Sequence, residues 1–158
     1  MAVVAAASDA AEIIICHSYF RVAYFLKQMK KKILFICIEN SNRSQISQAF
    51  ARMFGGKNVE AYSAGSQPSG KINSKAIAFM KELGYDLSTH SSKSLEKVKA
   101  FAPFDVVVTM GCGDICPWMP ARVFLDWNIP DPKEMNEIDF RKTGYMIAEK
   151  VNLLLQSI

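Results

Sequence analysis

From Lys32 onward, apolar runs alternate with apolar stripes. Ile33-Leu34-Phe35-Ile36 is an unbroken apolar run, the pattern of a parallel strand covered on both faces. After a polar turn, Ile46, Ala49, Phe50, Met53 and Phe54 recur at helical spacing until Gly55-Gly56, which predicts a helix beginning at Gln45. Val59 to Ser63 reads as a short second strand and Ala64 to Gly70 as a loop. Ala76, Ile77, Met80 and Leu83, closed by Gly84, mark a second helix, and a shorter third is expected over about Ser92 to Phe101. Asp105 to Met110 and Val123 to Leu125 supply a third and a fourth strand. Ile147, Val151, Leu154, Leu155 and Ile158 stripe a C-terminal helix. Strands alternating with helices predict an α/β fold whose parallel sheet is covered on both faces. Such sheets bind ligands at the carboxyl ends of their strands.

The 158 residues suit one domain, and 50% hydrophobic with 22% charged residues places the chain among globular proteins. Residues 1–28 differ in character, so the expected organisation is an extension over 1–28, a mis-called start or an extra helix, followed by a domain over 29–158. The apolar stretch from Ile13 to Leu26 contains His17 and Arg21 and is too short to span a bilayer, and Asp9 and Glu12 precede it where a signal peptide carries positive charge. No membrane association and a cytoplasmic location are expected. The net charge of +4 remains when 1–28 is set aside, because Asp9 and Glu12 balance Arg21 and Lys27. That balance suits an anionic substrate, but the basic residues do not interleave with aromatics as on a nucleic-acid surface. Four cysteines are too few for a disulfide scaffold and point to reactive or buried thiols.

The candidate chemistry begins where the first strand ends. In Cys37-Ile38-Glu39-Asn40-Ser41-Asn42-Arg43-Ser44 a cysteine and an arginine stand six residues apart between strand and helix. Amide groups at a helix N-terminus have no internal partner and carry partial positive charge, so a loop there binds a tetrahedral oxyanion. Arg43 adds a two-pronged donor, and the same field favours a thiolate nucleophile at Cys37. Ser44 is placed to hydrogen-bond Cys37 or to cap the helix. The bland alternative is a buried strand-end cysteine beside a surface arginine.

With this loop after the first strand and Asp131-Pro132 late in the chain, residues 29 to about 158 resemble the low-molecular-weight protein tyrosine phosphatase superfamily. The resemblance implies a three-layer α/β/α fold with a four-stranded parallel sheet. It implies that Asn40 shapes the loop in a left-handed conformation, that Ser63 supports the loop by hydrogen bonds, and that Asp131 protonates the leaving oxygen. Residues 38–44 would bind the substrate.

A second constellation, Cys112-Gly113-Asp114-Ile115-Cys116, follows the third strand. Hydrolysis of a phosphocysteine needs one thiol, whereas arsenate reduction needs two electrons, which thiols supply by forming a disulfide. This stretch, with Asp126 to Pro132 behind it, resembles thioredoxin-coupled arsenate reductases. The resemblance implies a relay: Cys37 attacks arsenate, Cys112 attacks Cys37, and Cys116 attacks Cys112, leaving a disulfide for thioredoxin or a similar thiol reductant. Zinc and inert buried thiols are the rivals for the pair. No second pair or nearby His completes four ligands, so neither a metal nor a cofactor is expected. Asn42 stands where many relatives have a second loop cysteine, and Glu39 where glycine is frequent; Glu39 is expected to point outward. Lys133-Glu134-Met135 lacks the paired tyrosines of a phosphotyrosine groove. The alternatives are a phosphatase acting on phosphate monoesters and an oxyanion or redox sensor. His90 is expected to support the site, and Trp118 and Trp127 to pack in the core.

Overall fold

The computed structural model describes residues 30–111 and 118–158. The expected extension over 1–28 and the pair Cys112 and Cys116 lie outside the described residues. Lys31–Ile158 builds β1 (Lys31–Cys37), α1 (Arg43–Gly55), β2 (Val59–Gly65), α2 (Ser74–Glu82), α3 (Leu95–Lys99), β3 (Phe104–Thr109), β4 (Ala121–Asp126) and α4 (Glu137–Ser157). The four strands form one parallel sheet in the order β2-β1-β3-β4.

Alternation along β1 sends side chains to two separate cores. Ile33, Phe35 and Cys37 join Ile46, Phe50, Phe79, Phe140 and Ile147 beneath α1, α2 and α4. Leu34 and Ile36 join Leu95, Val98, Phe104 and Val107 on the α3 side. Both faces of β1 are therefore dry, which is why its sequence is a solid apolar run. The chain goes from β1 to β2 on one side and to β3 on the other. The direction of winding thus switches at β1, and the crevice beyond the ends of β1 and β3 becomes the natural ligand position.

Several boundaries differ from expectation, among them β4, which extends beyond Val123 to Leu125 at both ends. Helix α1 starts at Arg43 instead of Gln45, because Ile46 N–H already donates to the Asn42 carbonyl at 2.9 Å. Strand β2 runs on to Gly65, paired with Cys37. Helix α3 is only Leu95–Lys99, since Phe101 and Ala102 close tighter turns onto Val98 and Lys99, at 3.0 and 3.2 Å. Trp127 is buried as expected, 5.9 Å from the ring of Phe35, but Trp118 is 75% exposed and packs in no core. Among the described residues no helix is long and apolar enough to cross a membrane.

Helix α4 starts cleanly: Asn136 accepts from Asp139 N–H at 3.0 Å, and Glu137 and Asp139 sit in the positive first turn. Its Gly144 lies against Phe79 of α2, where a Cβ would come within 2.5 Å of the ring. Replacing Gly144 with Ala should cost about 1–3 kcal/mol through overpacking, more than the roughly 1 kcal/mol gained in helix propensity. Urea unfolding should show a lower midpoint at unchanged slope; a raised midpoint would mean that the two helices are not in this contact.

Candidate active site

Beyond β1 the chain folds back on itself as a cup. Carbonyls of Cys37, Ile38, Glu39 and Ser41 accept from the amides of Ser66, Gln67, Ser69 and Asn73 at 2.9–3.2 Å, so each points away from the cup. The Asn40 carbonyl is held by Gln45 Nε2 at 3.2 Å. Trans peptide geometry opposes each C=O to the next N–H. The amide hydrogens of residues 38–42 therefore turn inward.

Asn40 makes this turn possible. Its φ of 49° is the left-handed conformation that asparagine tolerates. Its Oδ1 accepts from Gln45 Nε2 at 2.9 Å and from Lys93 N–H at 2.7 Å, while its Nδ2 donates to Ser44 Oγ at 2.8 Å. Asn40 N–H reaches Cys37 Sγ at 3.2 Å, and Ser44 Oγ lies 3.0 Å from the same sulfur. Ser44 thus sits inside α1 facing the cysteine, and does not cap the helix.

The cup encloses about 130 Å³, lined by Cys37, Ile38, Glu39, Ser41, Asn42, Arg43, Asp131 and Lys133. Arg43 is buried, and its Nη1 donates to the carbonyls of Met110 at 2.8 Å and Ile129 at 3.1 Å. Its Nη2 lies 3.6 Å from Asp131 Oδ2, a carboxylate 56% exposed at the mouth. Gly111, the residue before Cys112, stands close enough to the guanidinium that an added Cβ would lie 3.4 Å from Nη1. Glu39 turns to the rim, where Lys133 Nζ contacts its Oε1 at 2.6 Å and Ser41 Oγ its Oε2 at 3.2 Å. Mainly through its bond to Lys133, Glu39 is held below the usual carboxylate range. It is therefore paired at the rim and not simply turned outward.

Ser63 departs from expectation. Its Oγ donates to Gln48 Oε1 at 2.6 Å, and Gln48 in turn holds the Ala61 carbonyl at 3.0 Å, so Ser63 ties β2 to α1 and does not bond the loop. That support comes from residues the sequence did not single out. Gln45 bridges Asn40, Ser91 and His90, and Lys93 brings its backbone amide to Asn40. Gly65 lies beneath the loop, where a Cβ would be 2.4 Å from the Ile38 carbonyl oxygen and 2.9 Å from Asn40 N. No local pattern announces such a role; a strand-end glycine reads as a turn. A larger cleft of about 350 Å³ between α2 and α4 places Glu82, Glu137 and Arg141 on its walls, but Arg141 is paired with both carboxylates and no thiol lines it.

Comparison with known proteins agrees with this geometry. The sequence profile of the family described as low molecular weight phosphotyrosine protein phosphatase matches residues 32–158. A Synechocystis protein named glutaredoxin arsenate reductase is 34% identical over 131 residues, covering 81% of this chain and 98% of the relative. A solved arsenate reductase in a phosphate-binding state superposes with a TM-score of 0.73 at 33% identity, covering 81% of this chain and 98% of that one. A thioredoxin-dependent arsenate reductase of Corynebacterium glutamicum gives 0.66 at 32% identity, covering 82% of this chain and 61% of that one.

Two consequences are measurable. Gly65→Ala should push the loop backbone by a fraction of an ångström, and misplacement on that scale lowers turnover by up to about 100-fold, with thermal stability less affected than activity. His90 Nδ1 donates to Gln45 Oε1 at 2.9 Å and its Nε2 lies 3.0 Å from Tyr85 Oη, and burial, then Arg52, pushes its pKa from 6.5 down to about 4. The unfolded chain thus binds the proton first, so stability is full above pH 6.5 and falls as pH drops from 6.5 toward 4. His90→Gln should flatten that part of the stability profile in denaturant titrations; an unchanged slope would assign it to other groups.

Proposed function

This chain belongs to the low molecular weight phosphotyrosine protein phosphatase family, and from that premise we propose that it reduces arsenate to arsenite through Cys37 and a thiol relay. The observation that carries the reading is the small cup between Cys37 and Arg43, of a size for a tetrahedral oxyanion and without an aromatic residue among its described lining. Among the described residues a phosphotyrosine ring would find no aromatic wall there. The named arsenate reductases above support the same choice.

In the proposed reaction the inward amides and Arg43 hold arsenate. The Cys37 thiolate attacks arsenic, and hydroxide leaves as water with a proton from Asp131. Cys112 thiolate then attacks Cys37 sulfur. The S–As bond breaks with its electron pair passing to arsenic, As(V) becomes As(III), and a Cys37–Cys112 disulfide remains. Cys116 displaces Cys37 from Cys112, and an external dithiol reduces the resulting Cys112–Cys116 disulfide. Two thiols are oxidised for each arsenate reduced, so the electrons balance. The Met110 carbonyl bonded to Arg43 Nη1 supports the reach required, because the chain meets the site two residues before Cys112. Residues 29–158, of which the family profile matches 32–158, are the catalytic domain in this reading, with residues 1–28 an extension.

Arsenate, thioredoxin, thioredoxin reductase and NADPH supplied together should give arsenate-dependent NADPH oxidation; replacement by glutaredoxin and glutathione identifies the physiological type of reductant. Cys112→Ser should abolish arsenate turnover while sparing hydrolysis of a phosphate monoester, and Cys37→Ser should abolish both. Arsenate turnover undiminished in Cys112→Ser would remove the relay, and monoester hydrolysis without arsenate reduction in the intact protein would leave a phosphatase.

A further inference from the structure

The acid-bearing segment and the oxyanion loop come from opposite ends of the domain, and Asp131 itself is tethered weakly. Its carboxylate is more than half exposed and stands 3.6 Å from Arg43 Nη2. Two residues on, Lys133 makes the closest contact between the two segments, 2.6 Å from Nζ to Glu39 Oε1, and its backbone N–H donates to Asp131 Oδ1 at 3.2 Å. Glu39 is braced from behind by Ser41 Oγ. Charges therefore alternate around the rim: Glu39, Lys133, Asp131 and Arg43, all four lining the cup.

A carboxylate at the rim of an anion site opposes substrate entry, so Glu39 needs a compensating role. We propose that Glu39 and Lys133 form a positioning pair, an ion-pair strap that holds the Asp131 segment over the oxyanion loop so that the acid faces the leaving oxygen. This rests on the role given to Asp131 above. The strap acts through Asp131 and touches no reacting atom. Lys133 gains from the pairing in turn, its ammonium held more firmly protonated chiefly by the bond to Glu39.

The strap makes an unusual prediction. If Glu39 were only an electrostatic burden, Glu39→Gln would tighten arsenate binding and leave the chemical rate alone. As a strap, its loss lowers the rate. The readout is one equivalent of arsenite released by fully reduced protein without any external reductant, which yields a first-turnover rate and a half-saturation concentration. Glu39→Gln and Lys133→Met should each lower that rate by about two- to fivefold, the range of an exposed ion pair, and the double variant should lose no more than either alone. Lys133→Arg should restore most of the loss. In an Asp131→Asn background Lys133→Met should have no further effect on rate. At about 1 M salt, where the screening length falls to about 3 Å, wild type and Glu39→Gln should converge. A Glu39→Gln rate equal to or above wild type, or additive losses in the double variant, would overturn the strap. Should reduced wild type release no arsenite, the arsenate reading falls by itself, and the same variants compared in phosphate-monoester hydrolysis test the strap with the same expected losses.

Discussion

A guanidinium buried inside a protein must have its hydrogen-bond donors answered, and Arg43 is 5% exposed. Its answers come from two places far apart in sequence: the Met110 carbonyl at the end of β3 and the Ile129 carbonyl ahead of Asp131. Carbonyls satisfy the donors without cancelling the charge. The only carboxylate in ion-pair range among the described residues is the half-exposed Asp131, at 3.6 Å. Positive charge thus remains facing the cup, and the two segments that the proposed chemistry needs are both built against the group that would bind the substrate. Removing the guanidinium would orphan two buried carbonyls as well as the anion.

The loop follows the same logic with backbone in place of side chain. Its carbonyls are drawn outward by the amides of Ser66, Gln67, Ser69 and Asn73, and this fixes its amide hydrogens inward before any substrate arrives. Such donors need no reorganisation when charge develops, which is what makes them effective. The close approach that permits the ladder requires bare backbone at Gly65, and the left-handed turn requires Asn40.

The fold was legible because β1 is covered on both faces and the helices carry clean stripes; Ile33 to Ile36 and Ile147 to Leu154 name their own environments. Cys37 and Arg43 were legible because spacing and strand-to-helix position carry chemical meaning, whereas Asn40 and Asp131 were marked out only by the family resemblance. Gly65, Gln45, Lys93 and the partner of Glu39 were not, because each acts through contacts with residues distant in sequence: Gln45 with Ser91 and His90, Lys93 with Asn40, Glu39 with Lys133. Ser63, which the family resemblance placed among the loop's supports, pairs in register with Phe35 and gives its hydroxyl to Gln48 instead.

Asn42 shows how the loop's composition bears on the source of electrons. Its side chain is buried, its Oδ1 has no hydrogen-bond partner among the described residues, and Nδ2 reaches Ser41 Oγ only at 3.5 Å. An unpaired buried acceptor costs about 1–3 kcal/mol, so packing alone does not favour asparagine there. In the proposed reaction a second thiol at this position would compete to form a disulfide within the loop, trapping Cys37 beside the oxyanion site. With Asn42 in place, Cys37 is the sole cysteine among the described residues. A disulfide made by Cys37 must then leave the loop, toward an external thiol or toward the segment that begins at Gly111, where the first cysteine is Cys112.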